Sequence, residues 1–481
     1  MENKIQKQEP IVLNEENKKW ILCETTNKRD GTIARKYKVL PMELAKYIKE
    51  NLNYIFVRGA ASEQALTYIY ADGYYKFVSD DEFKGFIKEF IPYQLRKSKD
   101  INEVFFDLKT EMKFVDYELL NSNEDIINFQ DGIYNIKTGE LTEHSPDILS
   151  TIQIPAKFKD IKNAPSEAPV FFNYMETLCN GDIETIELLM QCLGIAISNV
   201  YAYRTKKALF LVGKGNTGKS QLKRLAEYLL GPQNVSNIDL KKVNEKYGAA
   251  TLYQKRLSGC NDMSYQRIED MSIFKQLTGG DSIEVEFKFK NSFNFLYKGF
   301  LWFNCNKLPR FGGDTGKWVY DRIMPVYCNN VIPKEEQDPL LFEKMLKEKN
   351  TIILFALQEL EKVISNNYHF VEPKSMQEER LKYEIENNTF LSFIHECCYI
   401  KDDIMPSMRL KRSTFKEAYD KYIKLNNNGR GKVTSADMNL LLETEYGEKY
   451  IKSNGIWYIS RINLLPEAKQ ELEIYDGTEN F

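Results

Sequence analysis

The sequence predicts a multidomain α/β protein built around a P-loop nucleotide-binding sheet, and three observations carry that prediction. The run Gly213-Lys214-Gly215-Asn216-Thr217-Gly218-Lys219-Ser220 fits G-x-x-x-x-G-K-[ST]. It is flanked by the apolar stretch 208–212, which reads as a buried strand, and by 220–230, a helical pattern that Gly231-Pro232 stops. A strongly apolar run with a polar tip recurs at 299–306, and a weak one ending on Asp262 at 256–262, as a parallel sheet with helical crossovers requires.

The chemistry of the loop follows from its residue types. Glycines let backbone N–H groups close on phosphate oxygens, and the helix start adds positive potential. Lys219 is expected on the β/γ-phosphates and the Ser220 hydroxyl on Mg2+. ATP and Mg2+ are thus the expected ligands, cradled by Gly213, Gly215, Asn216, Thr217, Gly218, Lys219 and Ser220.

Composition narrows the class. A chain of 481 residues has room for roughly three domains. Its formal net charge of −3 excludes a globally basic protein, so nucleic-acid contacts have to come from local patches. The eight cysteines form no C-x-x-C pair and there are only three histidines, which argues against structural zinc and for reduced, buried thiols. No apolar stretch approaches the ~18 residues of a membrane span. The N-terminus carries no signal-peptide core, so a soluble intracellular protein is expected.

Along the chain, residues 1–165 read as an N-terminal accessory region. Its first 19 residues are polar, and mixed α/β patterning follows, with hairpins turning at Asp72-Gly73 and Asp131-Gly132 and a helix opened by Asp80-Asp81-Glu82. Helical periodicity dominates 168–199 and the nucleotide-binding segment follows, the two spanning 166–368. Phe370-Val371-Glu372-Pro373 suggests a linker over 369–380, before a last domain at 381–481.

A P-loop alone does not name a reaction. A second strand should end on an acid that holds Mg2+ and polarises water. Asp262, closing 256–262, is the candidate, with Asp281 in the Leu277-Thr278-Gly279-Gly280-Asp281 turn as a rival. Asn306 ends the third apolar run, where a polar tip at the carboxyl end of a strand meets ligand; it is placed to sense the γ-phosphate. Arg322 follows, suited to neutralise charge at a neighbour's nucleotide; by itself a lone arginine reads first as a surface ion pair.

Taken together, the P-loop, Asp262, the 277–281 turn, Asn306-Lys307-Leu308-Pro309 and Arg322 resemble the superfamily 3 helicases. The resemblance is to the AAA+ replicative helicases of phages, plasmids and mobile genetic islands, primase-helicases among them. Upstream, Asp131-Gly132-Ile133-Tyr134 through Leu141, with His144-Ser145-Pro146-Asp147, is similar to the pre-helicase region of those proteins. The resemblance implies an AAA+ core with a helical collar. It makes Lys219 and Ser220 the P-loop pair, Asp262 the second-motif acid, Asn306 the sensor and Arg322 the arginine finger. It places a DNA-contacting hairpin at 283–290, with Lys288 and Lys290 facing phosphates. It further implies a homo-oligomeric ring, a hexamer by the family pattern, with DNA as partner, a separate primase or polymerase nearby, and a bacterial host cytoplasm. Two positions depart from the family pattern: Thr217 stands where Asn is usual, and Asp262 where Glu is usual.

The last domain reads as helix, helix, hairpin, the order of a winged helix. Arg409, Lys411, Arg412, Lys416, Lys421, Lys424, Arg430 and Lys432 bias it basic, and Lys452 falls in the hairpin. The family resemblance extends to this domain and implies DNA binding through Arg409, Lys411, Arg412 and Lys452. The expected function is an ATP-dependent DNA helicase and replication initiator. An ATP-switched origin- or operator-binding protein and a duplex-translocating packaging or remodelling ATPase are the competing readings.

Overall fold

The computed structural model describes residues 14, 17–58, 66–111, 114–245, 247–265, 267–268, 270–286, 292–311, 317–401, 409–427 and 432–474. Most of the polar N-terminal stretch, the basic pair Lys288 and Lys290, and Arg430 lie outside the described residues.

The N-terminal region begins with an antiparallel hairpin, β1 (Ile21–Asn27) and β2 (Ile33–Val39). Helix α1 (Pro41–Asn51) leads into β3 (Tyr54–Arg58), β4 (Leu66–Ala71) and β5 (Tyr74–Val78). Helix α2 (Asp80–Glu89) starts on a capping box, in which Ser79 and Glu82 satisfy each other's backbone N–H groups. Helix α3 (Ser98–Glu111) and β6 (Val115–Asp116) complete a sheet ordered β5-β4-β3-β6. Trp20, Leu44, Ile48, Phe56, Phe83 and Val104 form its core. Both expected hairpin turns are present, the second joining β7 (Ile126–Phe129) to β8 (Gly132–Asn135), with β9 (Leu141–Thr142) alongside. The Asp131 carboxylate accepts from the N–H groups of Phe158 and Lys159, at 2.6 and 3.1 Å, and so caps α4 (Phe158–Lys162).

Helices α5 (Pro169–Leu178) and α6 (Ile183–Ile197) occupy the helical stretch read from periodicity. Gly194 on α6 lets a later helix approach closely: a Cβ there would stand 2.5 Å from the Ala356 carbonyl oxygen.

The sheet core follows. It comprises β10 (Ala208–Val212), α7 (Lys219–Leu230), β11 (Val235–Asn237), α8 (Leu240–Val243), β12 (Leu257–Gly259) and β13 (Arg267–Ile268). Next come α9 (Ser272–Gly279), the antiparallel pair β14 (Ser282–Glu286) and β15 (Ser292–Leu296), β16 (Phe300–Cys305), β17 (Arg310–Phe311), α10 (Lys317–Arg322) and β18 (Ile323–Tyr327). Five of these strands form one parallel sheet ordered β11-β12-β16-β10-β18. All of β10 and β16 is buried, each large apolar side chain contributing about 1.5–3 kcal/mol. That burial explains why both read as apolar runs, broken in β16 only by Asn304. Helices α11 (Leu341–Lys347) and α12 (Lys349–Ser365) close the core, α12 packing on α6 at Gly194.

The stretch expected as a linker, 369–380, is largely helical: α13 (Lys374–Asn387) starts within it. Glu372 holds it down through ion pairs to Lys207 and to Arg380, the latter at 2.6 Å, and the Tyr383 hydroxyl donates to the Pro309 carbonyl. Beyond it lie α14 (Thr389–Cys397), β19 (Cys398–Ile400), β20 (Leu410–Lys411), α15 (Arg412–Asn427) and α16 (Ser435–Tyr446). The hairpin β21 (Ile451–Ser453) and β22 (Ile456–Ile459), then β23 (Ile462–Leu464) and α17 (Pro466–Glu471), end the fold. The helix, helix, hairpin order is therefore present, with β20 pairing to β22. Among the described residues no helix is long and apolar enough to cross a membrane, and seven of the eight cysteines are buried.

Candidate functional site

The site grows from the carboxyl end of β10. Val212 pairs with Cys305 on one side and Tyr327 on the other, so the chain leaving β10 emerges between two strand ends. The Gly213 N–H donates to the Cys305 carbonyl at 3.1 Å, and the Cys328 N–H to the Val212 carbonyl at 2.7 Å. A Cβ on Gly213 would sit 2.1 Å from the Cys328 carbonyl oxygen, so only glycine fits. Asn216 takes a left-handed φ of 63°, and its carbonyl accepts from the Ile332 N–H at 2.9 Å. Gly218 is left-handed too, at 89°, and its carbonyl accepts from the Tyr174 hydroxyl at 3.0 Å. Gly215 differs: its φ is ordinary and a Cβ would meet no protein atom within 4 Å. Nothing in the protein demands glycine there, whereas close approach of a phosphate would.

Lys219 opens α7 and is buried. Its ammonium donates to the Gly213 carbonyl at 2.6 Å, the Lys214 carbonyl at 2.7 Å and Thr217 Oγ1 at 3.1 Å. Burial pushes its pKa down, opposed by nearby Cys328, Cys305 and Asp262. Three oxygen acceptors hold the charge where phosphate oxygens would compete for it. Thr217, the departure from the family pattern, is buried and is one of those acceptors. Ser220, one residue on, is exposed at the helix start.

Asp262 and Asn306 stand on neighbouring strand ends. Strand β12 is parallel to β16, and Met263 bridges to Cys305. Asp262 therefore lies beside the end of β16, and Asn306 directly follows the residue paired with Val212. Both are exposed. Lys219, Asp262 and Asn306 are gathered along one carboxyl edge, where open parallel sheets bind ligands.

Arg322 is not there. It immediately precedes β18, whose first residue pairs with Ala208, the first of β10. The five paired residues of β10 put it at the opposite edge of the sheet, roughly 17–20 Å from the loop at 3.3 Å per residue. Arg322 Nη1 donates to Thr278 Oγ1 at 3.4 Å. Burial lowers its pKa while Asp281 and Asp321 pull it up. Asp281, the rival acid, accordingly sits with Arg322 and away from the P-loop.

Among the described residues no group of three or more His, Cys, Asp or Glu gathers into a metal cage. The Ser220 hydroxyl and a single carboxylate, Asp262, are donors of the kind that would hold Mg2+ if phosphate oxygens and water supplied the rest.

Several residues that hold this site in place carry no motif. Asn304, fully buried, accepts from the Trp302 indole N–H at 3.1 Å and donates to Asn261 Oδ1 at 3.0 Å. Lys223, fully buried on α7, donates to Glu227 at 2.7 Å and to the Gly259 carbonyl at 3.2 Å. Arg256 is buried at the start of β12 and donates to the carbonyls of Lys298 (2.6 Å), Ile195 (2.7 Å) and Val200. Burial pushes its pKa down to about 10. The only hint of Asn304 in the sequence is its position inside an apolar strand, where a polar residue needs a partner.

In the last domain, Lys411 and Lys452 are exposed, Arg409 and Arg412 half-buried. Arg412 lies 4.6 Å from the Tyr450 ring centroid and Lys452 5.8 Å from that of Trp457. Two lysines of the basic stretch are paired: Lys421 with Glu417 at 3.0 Å and Lys432 with Asp420 at 2.6 Å. Helix α16 carries Asp437, Glu443 and Glu445 and no Lys or Arg.

Fold and loop together define a mixed α/β protein of several domains, with a phosphate-loop sequence at the carboxyl edge of a parallel sheet. Residues 80–179 match the family described as D5 N terminal like, and 211–322 match a family of unknown function, DUF5906. The first match runs from α2 through α5 and contains the Asp131–Leu141 stretch; the second starts on the last two residues of β10 and contains the whole P-loop, Lys219, Asp262, Asn306 and Arg322. No curated protein matches the chain. Among solved structures, the apo A form of the NrS-1 C-terminal region is 13% identical, with a TM-score of 0.48, covering 88% of this chain and 99% of that one. A second apo structure of that region is 14% identical, with a TM-score of 0.44 and the same coverage. At these TM-scores the likeness carries no functional weight.

Proposed function

We propose that this chain is an ATP-dependent DNA helicase and replication initiator of the AAA+ superfamily 3 type, working as an oligomeric ring. The observation that carries the proposal is the separation of Arg322 from Lys219. An arginine at the far edge of the sheet cannot reach its own subunit's loop, but in a ring it can face the loop of the next. The match of 80–179 to the D5 N terminal like family supports a phage primase-helicase relationship.

In this reading Lys219 exchanges the Gly213 and Lys214 carbonyls for β/γ-phosphate oxygens, and the loop N–H groups hold the remainder. Mg2+ at Ser220 and Asp262 supplies charge neutralisation on the phosphates. Asp262 and Asn306 orient the attacking water, with Asn304 and Asn261 fixing their strand ends. Arg322 of the partner subunit stabilises the charge that develops in transfer, a role worth about 10³–10⁵-fold in rate. Lys288 and Lys290, between β14 and β15, transmit the cycle to DNA phosphates. The last domain acts as a winged helix that meets DNA through its hairpin and β20, with Lys411 and Lys452, rather than through acidic α16.

The test is strand displacement on forked DNA with ATP and with a slowly hydrolysed analogue. ATP alone should release a strand. Equal DNA binding with both nucleotides and no released strand would instead support the ATP-switched binding protein. Movement along intact duplex without displacement would support a packaging or remodelling ATPase. Lys288→Ala with Lys290→Ala should keep basal ATPase and lose unwinding.

A further inference from the structure

The N-terminal hairpin leaves its core almost at once. Of the two seven-residue strands, only Ile21 and Val39, paired at the base, are buried. Beyond Tyr37, which packs half-buried on that core across from Cys23, the ribbon runs roughly 15 Å at about 3.4 Å per residue. Isolated two-stranded ribbons are marginal in water, so packing does not account for its length.

Its charge is equally out of proportion. Residues 18–39 hold seven Lys and Arg against Glu24 and Asp30, a local net charge of +5 in a chain of net −3. Lys28, Arg29, Arg35, Lys36 and Lys38 are exposed, and among the described residues none of the five is in an ion pair. Glu24 lies across from Lys36 in the register. Asp30 is occupied within the turn, accepting from the Thr32 N–H at 3.0 Å and its hydroxyl at 2.6 Å. Several lysines elsewhere in the chain are paired, as Lys49 is with Asp107 and Lys137 with Asp125. One or two edge lysines suffice to discourage strand-to-strand aggregation; five unpaired cations on one ribbon exceed that need.

We propose that β1 and β2 form a DNA-binding arm that grips duplex phosphates. The DNA major groove admits a two-stranded ribbon, and Lys28 and Arg29 at the tip with Arg35, Lys36 and Lys38 along β2 would contact the flanking backbone. Such contacts hold position without reading sequence. The arm precedes both family-matched segments, which begin at 80 and 211. The inference rests on the reading that DNA is this chain's track.

The experiment uses the full chain and the quadruple variant Lys28→Gln, Arg29→Gln, Arg35→Gln, Lys36→Gln. Binding to a fluorescent duplex is followed by anisotropy over a series of salt concentrations. Basal ATPase without DNA and the oligomer mass serve as controls. The variant should bind about tenfold or more weakly, with the log–log salt slope reduced by about 3 to 4, since each phosphate no longer neutralised lowers it by about 0.9. ATPase and mass should be unchanged. Unaltered affinity and slope overturn the arm. So does unaltered affinity with a smaller oligomer, which makes the ribbon a subunit contact. Absence of DNA binding by the unmodified chain overturns the functional reading and the arm with it.

Discussion

Asn304 donates from Nδ2 to Oδ1 of Asn261 at 3.0 Å, joining the strand that ends beside Asn306 to the residue just before Asp262. The backbone repeats the link: the Asn304 N–H donates to the Cys260 carbonyl and its carbonyl accepts from the Met263 N–H, both at 2.8 Å. One fully buried amide thus sets the spacing between the two groups proposed to position water.

Replacing it should separate chemistry from binding. Asn304→Leu leaves the Trp302 N–H and the Asn261 carbonyl unpaired, at a cost of about 1–3 kcal/mol. Turnover of ATP should fall about tenfold while the KM for ATP changes little. Thermal unfolding and steady-state ATPase measure the two effects; a large rise in KM with turnover intact contradicts the positioning role.

In the proposed ATP site, Lys219 makes nucleotide affinity pH-dependent in a definite direction. Burial holds its pKa below the ordinary lysine value in the free protein, and bound phosphate raises it. Between those two values binding takes up a proton, so affinity falls as pH rises, by up to about tenfold per pH unit. At lower pH the ammonium is charged in both states and affinity is flat. Titration with a fluorescent ATP analogue from about pH 7 to about pH 10 should show this alkaline loss. Lys219→Ala should bind ATP poorly at every pH and remain folded.

Arg256 ties the end of α6 and the chain after it to the sheet. Its guanidinium is fully buried on the carbonyls of Ile195, Val200 and Lys298. Arg256→Leu keeps the site filled with apolar bulk and leaves three acceptors without their donor, which should cost about 3–5 kcal/mol. Calorimetry or chemical denaturation measures it, and a change under about 1 kcal/mol would mean that water replaces the guanidinium.

The parallel sheet around the P-loop sequence was legible because its signals are local. The P-loop sequence, the fully buried β10 and the amphipathic α7 each follow from spacing within about ten residues. Asp262 and Asn306 could be set at strand ends for the same reason. Arg256 and Lys223 could not be read as buried, since a charged side chain gains its buried acceptors only from tertiary packing. The linker expected at 369–380 failed similarly. Glu372-Pro373 signals a break, but α13 buries only Met376 and Tyr383, too few for periodicity to show. The ion pair of Glu372 with Lys207 docks it instead, and Arg380 of α13 closes on the same carboxylate. In the last domain the Glu417–Lys421 pair follows helical spacing, whereas Asp420 meeting Lys432 depends on how α15 turns back toward α16.

The most direct test of the shared ATP site is subunit mixing. Lys219→Ala and Arg322→Ala should each lack ATPase activity alone. Mixed before assembly, they should regain activity, because an intact P-loop in one subunit meets the intact Arg322 of the partner subunit. If the mixture stays as inactive as its components while assembling to the same mass, the arginine does not act between subunits and the ring mechanism falls.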